Sequence, residues 1–381
     1  MIARLVLGCF VAALGVILPA HAQIKIGVIA SSTGPVSLIG TQHKNTVALL
    51  PKTINGLTVE YLVFDDASDP TQTTKLVQKL LIEEKVDAII GPSGTPNAVA
   101  ILPFIAEART PLLATVGSAA VILPMDDKKR WVFKTTANDD LIASALVDHM
   151  KANGVKTAAV IAGSDPFGEN WAKTFSKLAR DADIKIVADE RYARNDSSVT
   201  GQALKILTAN PDAVLVASPG APAVLPQVTL FDQGYKGKIY QTHGAGTPEF
   251  LKLGGKKVEG TFMAVSPMLV LQQLPDNVPF KKVALDFSTA YRALHGVDPG
   301  TFAGNVFDAG LLLQGAVPVT LKTTKPGTPE FRAALRDAIE QTKELVATQG
   351  FYNMTPEDHS GFDKRGRVMV TVKDGQWTLL P

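Results

Sequence analysis

The chain has 381 residues and a single cysteine, Cys9, which lies in an N-terminal apolar run. Everything after that run therefore has no disulfide framework, thiolate metal site or cysteine nucleophile. An excess of charge of either sign is also missing. There are 38 basic and 36 acidic residues, and charged residues make up 19% of the chain with no block or low-complexity tract among them, so neither nucleic acid nor an anionic membrane surface is expected as a partner. Histidines number six, and no two stand at metal-ligand spacing. Gly244-Ala245-Gly246 lacks the third glycine of a dinucleotide loop, there is no Walker lysine motif, and Gly91-Pro92-Ser93-Gly94 does not fit a nucleophile elbow. No catalytic residue, cofactor or metal is assigned.

What the sequence does contain begins with an export signal. Arg4 precedes the uncharged run Leu5 to Leu18, and Pro19-Ala20-His21-Ala22 closes on a small-x-small pattern, which makes residues 1–22 a signal peptide and Gln23 the mature N-terminus. The run is too short for a membrane span. Without Arg4 the basic residues fall from 38 to 37 against 36 acidic ones, a formal net charge of +1.

The rest of the chain is organised around Val86 to Ala120. Strand Val86 to Ile90, turn Gly91 to Thr95, helix Pro96 to Ala108, strand Pro111 to Thr115 and turn Val116 to Ala120 follow in order. Two neighbouring strands thus deliver small, hydroxyl-bearing turns to the carboxyl edge of a parallel sheet, where open α/β sheets bind ligands. Thr95 reads as an N-cap with Pro96 at the first helical position. Free helix N–H groups and the Ser93, Thr95 and Ser118 hydroxyls then form a cradle for a small carboxylate without Arg or Lys; the plainer reading is that these residues only cap and turn.

The strand and helix alternation runs from Ile24 to Met150 and starts again at Thr157, continuing to Thr242. This argues for an α/β protein of two doubly wound, Rossmann-like lobes. Three helical patterns after Val265 and a hairpin turned at Lys373-Asp374-Gly375 complete the chain. The expected lobes are residues 23–136 with about 265–343, and residues 137–264 with about 344–381, joined by a hinge of several strands.

Ile24-Lys25-Ile26-Gly27 with Thr33-Gly34-Pro35, Asp65-Asp66-Ala67-Ser68-Asp69-Pro70, Ile90-Gly91-Pro92, Gly168-Glu169 after Asp165, and Tyr352-Asn353-Met354 with Asp358-His359 span nearly the whole mature chain. In this order they resemble the branched-chain amino-acid-binding family of periplasmic proteins, the type I receptors of ABC transporters. The resemblance implies a periplasmic, monomeric receptor that closes two lobes over a small ligand and serves an ABC permease, the alternatives being a receptor for branched-chain or other amino acids and a ligand-sensing regulator of the same fold without transport. It further implies that Ser93, Gly94, Thr95, Gly117, Ser118 and Ala119 bind the ligand carboxylate, that Phe167 closes over it, and that Ile39 lines the side-chain pocket. The disulfide the family often carries is replaced here by Ser68 and Gly94.

His243 falls where amino-acid-binding members keep a glutamate facing the ligand ammonium. An imidazole cannot replace that carboxylate, since an unpaired ammonium in a closed cleft costs several kcal/mol, so an aromatic or keto acid is favoured over a standard amino acid. On generic grounds His243 also reads as loop structure, and Phe167 as core beside Trp171 and Phe175. Asp139 reads as a helix cap or a ligand contact, and Asp358 and His359 as structural.

Overall fold

Residues 23–381 are described by the computed structural model; the expected signal peptide, residues 1–22, lies outside the described residues. The first apolar series forms a six-stranded sheet from β1 (Ile24–Ile29), β2 (Thr53–Ile54), β3 (Leu57–Phe64), β4 (Ala88–Ile90), β5 (Leu112–Ala114) and β6 (Val132–Lys134). Its order is β2-β3-β1-β4-β5-β6, parallel throughout except for the β2–β3 hairpin. Strands this apolar are stable only when covered on both faces. On one face cover comes from α2 (Pro70–Ile82) and α3 (Thr95–Ala108), while α1 (Ser37–Thr46) lies between β1 and β2 in the chain. The Asp69 carboxylate starts α2 by accepting from the Thr71 and Gln72 N–H groups at 2.7 and 3.3 Å.

After α4 (Asp139–Ala152) the second sheet is built from β7 (Thr157–Gly163), β8 (Lys185–Tyr192), β9 (Ala213–Ala217), β10 (Lys238–Gln241) and β11 (Phe262–Val265), parallel in the order β11-β10-β9-β7-β8. Helices α5 (Pro166–Asp181), α6 (Thr200–Ala209), α7 (Val224–Asp232) and α8 (Pro248–Gly254) alternate with these strands. The chain then returns as α9 (Lys281–His295), α10 (Thr301–Thr320) and α11 (Pro329–Glu340). Most of α10 is buried, and Val306, Ala309, Leu312 and Leu313 pack against β1 and β4 residues. A helix apolar on nearly every side is a core helix.

The expected return to the second lobe near residue 344 falls later. The short strands β12 (Leu345–Val346) and β13 (Phe351–Tyr352) and Met354 belong to the first lobe, because Ala347, Tyr352 and Met354 fill the same core as β1 and α10. Only β14 (Val368–Lys373) and β15 (Gln376–Leu379) join the second sheet, antiparallel beside β11. Their turn places Asp374 and Gly375 at φ 52° and 72°, as a two-residue hairpin of this twist requires. The chain thus crosses between lobes after β6, after β11 and before β14, and each sheet has the strand order whose switch point lies at its carboxyl edge.

Candidate functional site

The carboxyl edges of the two sheets face each other across a cavity lined from both lobes. Ser93 and Thr95 reach it from the turn after β4, Thr115, Val116 and Gly117 from β5, and Thr136 and Ala137 from β6. Phe167, Pro219, His243 and Val265 supply the second-lobe wall, and Ile39 and the start of α10 the remainder.

Two kinds of hydroxyl line this space. Thr115 Oγ1 donates to the Pro92 carbonyl at 2.9 Å and Thr136 Oγ1 to the Val116 carbonyl at 2.6 Å, so these threonines hold the turns in place and keep only lone pairs for a ligand. Ser93 Oγ instead accepts the Ser31 N–H at 3.1 Å and lies 2.8 Å from Nδ1 of the fully buried His43. Burial holds His43 neutral, pulled down to about 3. Its Nε2 has no partner, and burying a bare lone pair costs less than burying an unpaired N–H. The tautomer with Nδ1–H is therefore favoured, and it leaves the Ser93 proton free to point into the cavity.

Thr95 is not the cap of α3. Gly94 holds that position and Thr95 is the first helical residue, because the turn after β4 runs one residue shorter than the capping pattern implies. The Thr95 hydroxyl is thereby free beside the N-terminal N–H groups of α3. Ser118 is spent locally: its fully buried Oγ accepts from Ala120 N at 3.3 Å and caps a short helical turn, Ala119–Val121.

A cation also stands behind the second turn. Lys134, fully buried, donates to the Gly117 carbonyl at 2.5 Å and to Asn138 Oδ1 at 2.6 Å. A charged donor on that carbonyl polarises the Gly117–Ser118 peptide and strengthens its N–H as an anion donor. Burial pulls the Lys134 ammonium down and pushes Asp139 up, and each charge partly offsets the other's shift. Lys134 does not line the cavity, yet it charges the wall behind the second turn.

On the opposite wall the Asp165 carboxylate caps α5 through the Phe167 and Gly168 N–H groups at 2.8 and 3.2 Å. Gly168 packs so closely on β7 that a Cβ there would lie 1.9 Å from the Gly163 carbonyl oxygen. That contact fixes Phe167, which is 4% exposed and both lines the cavity and joins the second-lobe core. His243 is packed against Phe167 and Trp171, with ring centroids 6.3 and 5.8 Å away. Burial, with a contribution from the Lys134 charge, pulls it down to about 3, so it faces the cavity as a neutral imidazole. Its Nδ1 lies 4.0 Å from Asp139 Oδ1, and both atoms lack a hydrogen-bond partner. Asp139 does not cap α4; Asn138 occupies that position, and Asp139 Oδ2 accepts from Asn170 Nδ2 at 2.7 Å.

Of the expected residues, Ile39, Ser93, Thr95, Gly117, Phe167 and His243 line the cavity, while Gly94, Ser118, Ala119 and Asp139 stand behind its surface. His359 and Asp358 are structural, with His359 stacked on Phe133 at 4.2 Å and bonded to the Val132 carbonyl and to Glu340. Sequence reasoning missed His43, Lys134, Thr115, Asn305 and Gln349. No local pattern marks them, and their roles arise only from partners distant in sequence: Ser93 for His43, the Pro92 carbonyl for Thr115, the Gly117 carbonyl for Lys134, and Gln349 for Asn305.

Two doubly wound lobes facing a cavity of hydroxyls and peptide donors define a bilobed solute receptor. The family model of the periplasmic binding proteins matches residues 23–376. The leucine-, isoleucine-, valine-, threonine- and alanine-binding protein of Pseudomonas aeruginosa is 25% identical over 357 residues, covering 90% of this chain and 86% of that one. An extracellular ligand-binding receptor from Rhodopseudomonas palustris HaA2 superposes with a TM-score of 0.91 at 44% identity, covering 94% of this chain and all of that one. A benzoate-bound solute-binding protein from R. palustris shares the fold, with a TM-score of 0.77 at 20% identity over 94% of this chain and 95% of the other. The chain belongs to the periplasmic binding protein family, in its type I, Leu/Ile/Val-binding branch, and is a solute receptor of the ABC-transport kind.

Proposed function

We propose that this receptor captures a small organic acid, an aromatic or keto acid, and delivers it to an ABC permease as an exported monomer beginning at Gln23. The observation that carries this reading is the pairing of unoccupied donors with a neutral second-lobe wall. Thr95, Ser93 and the polarised Gly117–Ser118 peptide offer hydrogen bonds to a carboxylate, and His243 and Phe167 present no anion of their own to the cavity. Closure over the acid buries it and builds the shape a permease recognises.

Asp139 favours a second reading. Its unpartnered Oδ1 beside His243 is an acceptor that an amino-acid ammonium can use if the side chains shift. A thermal-shift screen of aromatic, keto, aliphatic and amino acids separates the two, since a ligand that binds only the folded state raises its melting temperature. Organic acids should stabilise and leucine should not; stabilisation by leucine alone contradicts the first reading.

A further inference from the structure

We propose that Asn305 gives the cavity a second hydrogen-bonding station, which takes an uncharged oxygen, keto or hydroxyl, carried by the ligand in addition to its carboxylate. The proposal rests on the carboxylate reading above. Asn305 is 2% exposed, lines the cavity and lies one turn after Thr301, the first residue of α10, so the two share a helix face.

The polarity of the Asn305 amide is fixed by a chain of bonds reaching into the core. Asp308, fully buried, accepts from the Thr348 N–H and hydroxyl at 2.8 Å each, from the Tyr352 hydroxyl at 3.2 Å and from Gln349 Nε2 at 3.4 Å. Burial pushes Asp308 up to about 6 against these four donors, so at neutral pH it is a carboxylate and can only accept. Gln349 must therefore turn its NH2 group, not its carbonyl, toward Asp308. The same Nε2 donates to Asn305 Oδ1 at 2.7 Å, which leaves Asn305 Nδ2 as the atom directed elsewhere. Among the described residues that amide nitrogen has no partner.

Beside it, Thr301 Oγ1 is buried without a partner and its residue lines the same cavity. Gly300, which precedes it, offers no side-chain cap to α10. No Lys or Arg lines the cavity, so this wall suits a neutral acceptor better than a second carboxylate. A ligand lacking such an oxygen shuts the Asn305 donor into the closed cleft unpaired, and sites built around a hydrogen bond reject analogues that lack it.

The test is calorimetric titration of the mature protein with two matched pairs, phenylpyruvate against 3-phenylpropanoate and 4-hydroxybenzoate against benzoate. The first differs by an oxygen next to the carboxylate, the second by one across the ring. In at least one pair the oxygenated acid should bind about tenfold tighter, and the ratio should collapse toward one in Asn305→Leu. The near-isosteric Asn305→Asp, which replaces the donor with an acceptor, should remove or reverse the preference and covers the case in which the leucine variant does not fold. Equal affinities within both pairs, or a ratio unchanged in the variants, overturns the Asn305 assignment while leaving the carboxylate reading standing. Binding of none of the four acids counts against both.

Discussion

A Cβ placed on Gly117 would lie 2.4 Å from Nε2 of His243 and 2.8 Å from Oδ1 of Asp139. The first-lobe turn and the second-lobe side chains are therefore in van der Waals contact at a position where a methyl group would force His243 or Asp139 to shift, and the lobes are closed on each other there. Pro35 and Gly220 repeat the approach at the rim, with 3.3 Å from the Pro35 carbonyl oxygen to a Gly220 Cβ.

Gly117→Ala should hold the lobes apart without unfolding either. Overpacking of this kind costs about 1–3 kcal/mol, which should appear as roughly a 5- to 150-fold loss of ligand affinity with little change in the melting temperature of the unliganded protein. Calorimetry and small-angle scattering check the two halves of this expectation. A ligand-induced decrease in radius equal to that of the parent contradicts it.

The two turns are not equivalent hydroxyl by hydroxyl. Thr95→Val and Ser93→Ala should each weaken acid binding by about 1.5–3 kcal/mol, the range for a hydrogen bond to a charged group. Ser118→Ala should leave affinity within about 0.5 kcal/mol, because that hydroxyl serves Ala120 N. A larger loss from Ser118→Ala than from Thr95→Val reverses the assignment.

Lys134→Met removes the charge that polarises the Gly117–Ser118 peptide and offsets Asp139. Breaking up buried charges in this way costs roughly 3 kcal/mol of stability, and acid affinity should fall with it. Chemical denaturation and calorimetry on the same variant measure both. Unaltered affinity in a destabilised variant means that Lys134 serves the fold alone.

His243 is held neutral, its folded value near 3 lying below its ordinary 6.5. A base depressed in this way contributes stability above its unfolded value, which is lost as pH falls from about 6.5 toward 3. Relative to His243→Phe, the parent should lose about 1.4 kcal/mol per pH unit between pH 6 and pH 4. Ring-nitrogen NMR should show one neutral tautomer throughout that window. A protonated imidazole at pH 6 contradicts the neutral second-lobe wall.

Much of the fold is legible in the sequence because its elements are either apolar runs or capped helices. The alternation from Ile24 to Met150 and from Thr157 to Thr242 corresponds to the two sheets with their helices, and Asp69-Pro70 and Asp165-Pro166 cap α2 and α5. Elements whose stability comes from distant partners are not legible. The two-residue strands β12 and β13 have no period to read, and their core partners lie on β1 and α10. Within the site the glycine and hydroxyl turns announce themselves, but their donors do not. Thr115 and Thr95 look alike in sequence, and only the Pro92 carbonyl beside one of them decides which can donate to a ligand. Asn305 was hidden inside an apolar helix that reads as core, and Lys134 at the end of a strand that its burial shows to be interior.

The most direct test of carboxylate capture is calorimetric titration of the mature protein with one acid that binds it and with the primary amide of the same acid. The amide keeps the shape and loses the charge. The acid should bind one to one and at least about 100-fold more tightly, reflecting roughly 3 kcal/mol of charge-assisted hydrogen bonding. Equal affinity for acid and amide would contradict the account.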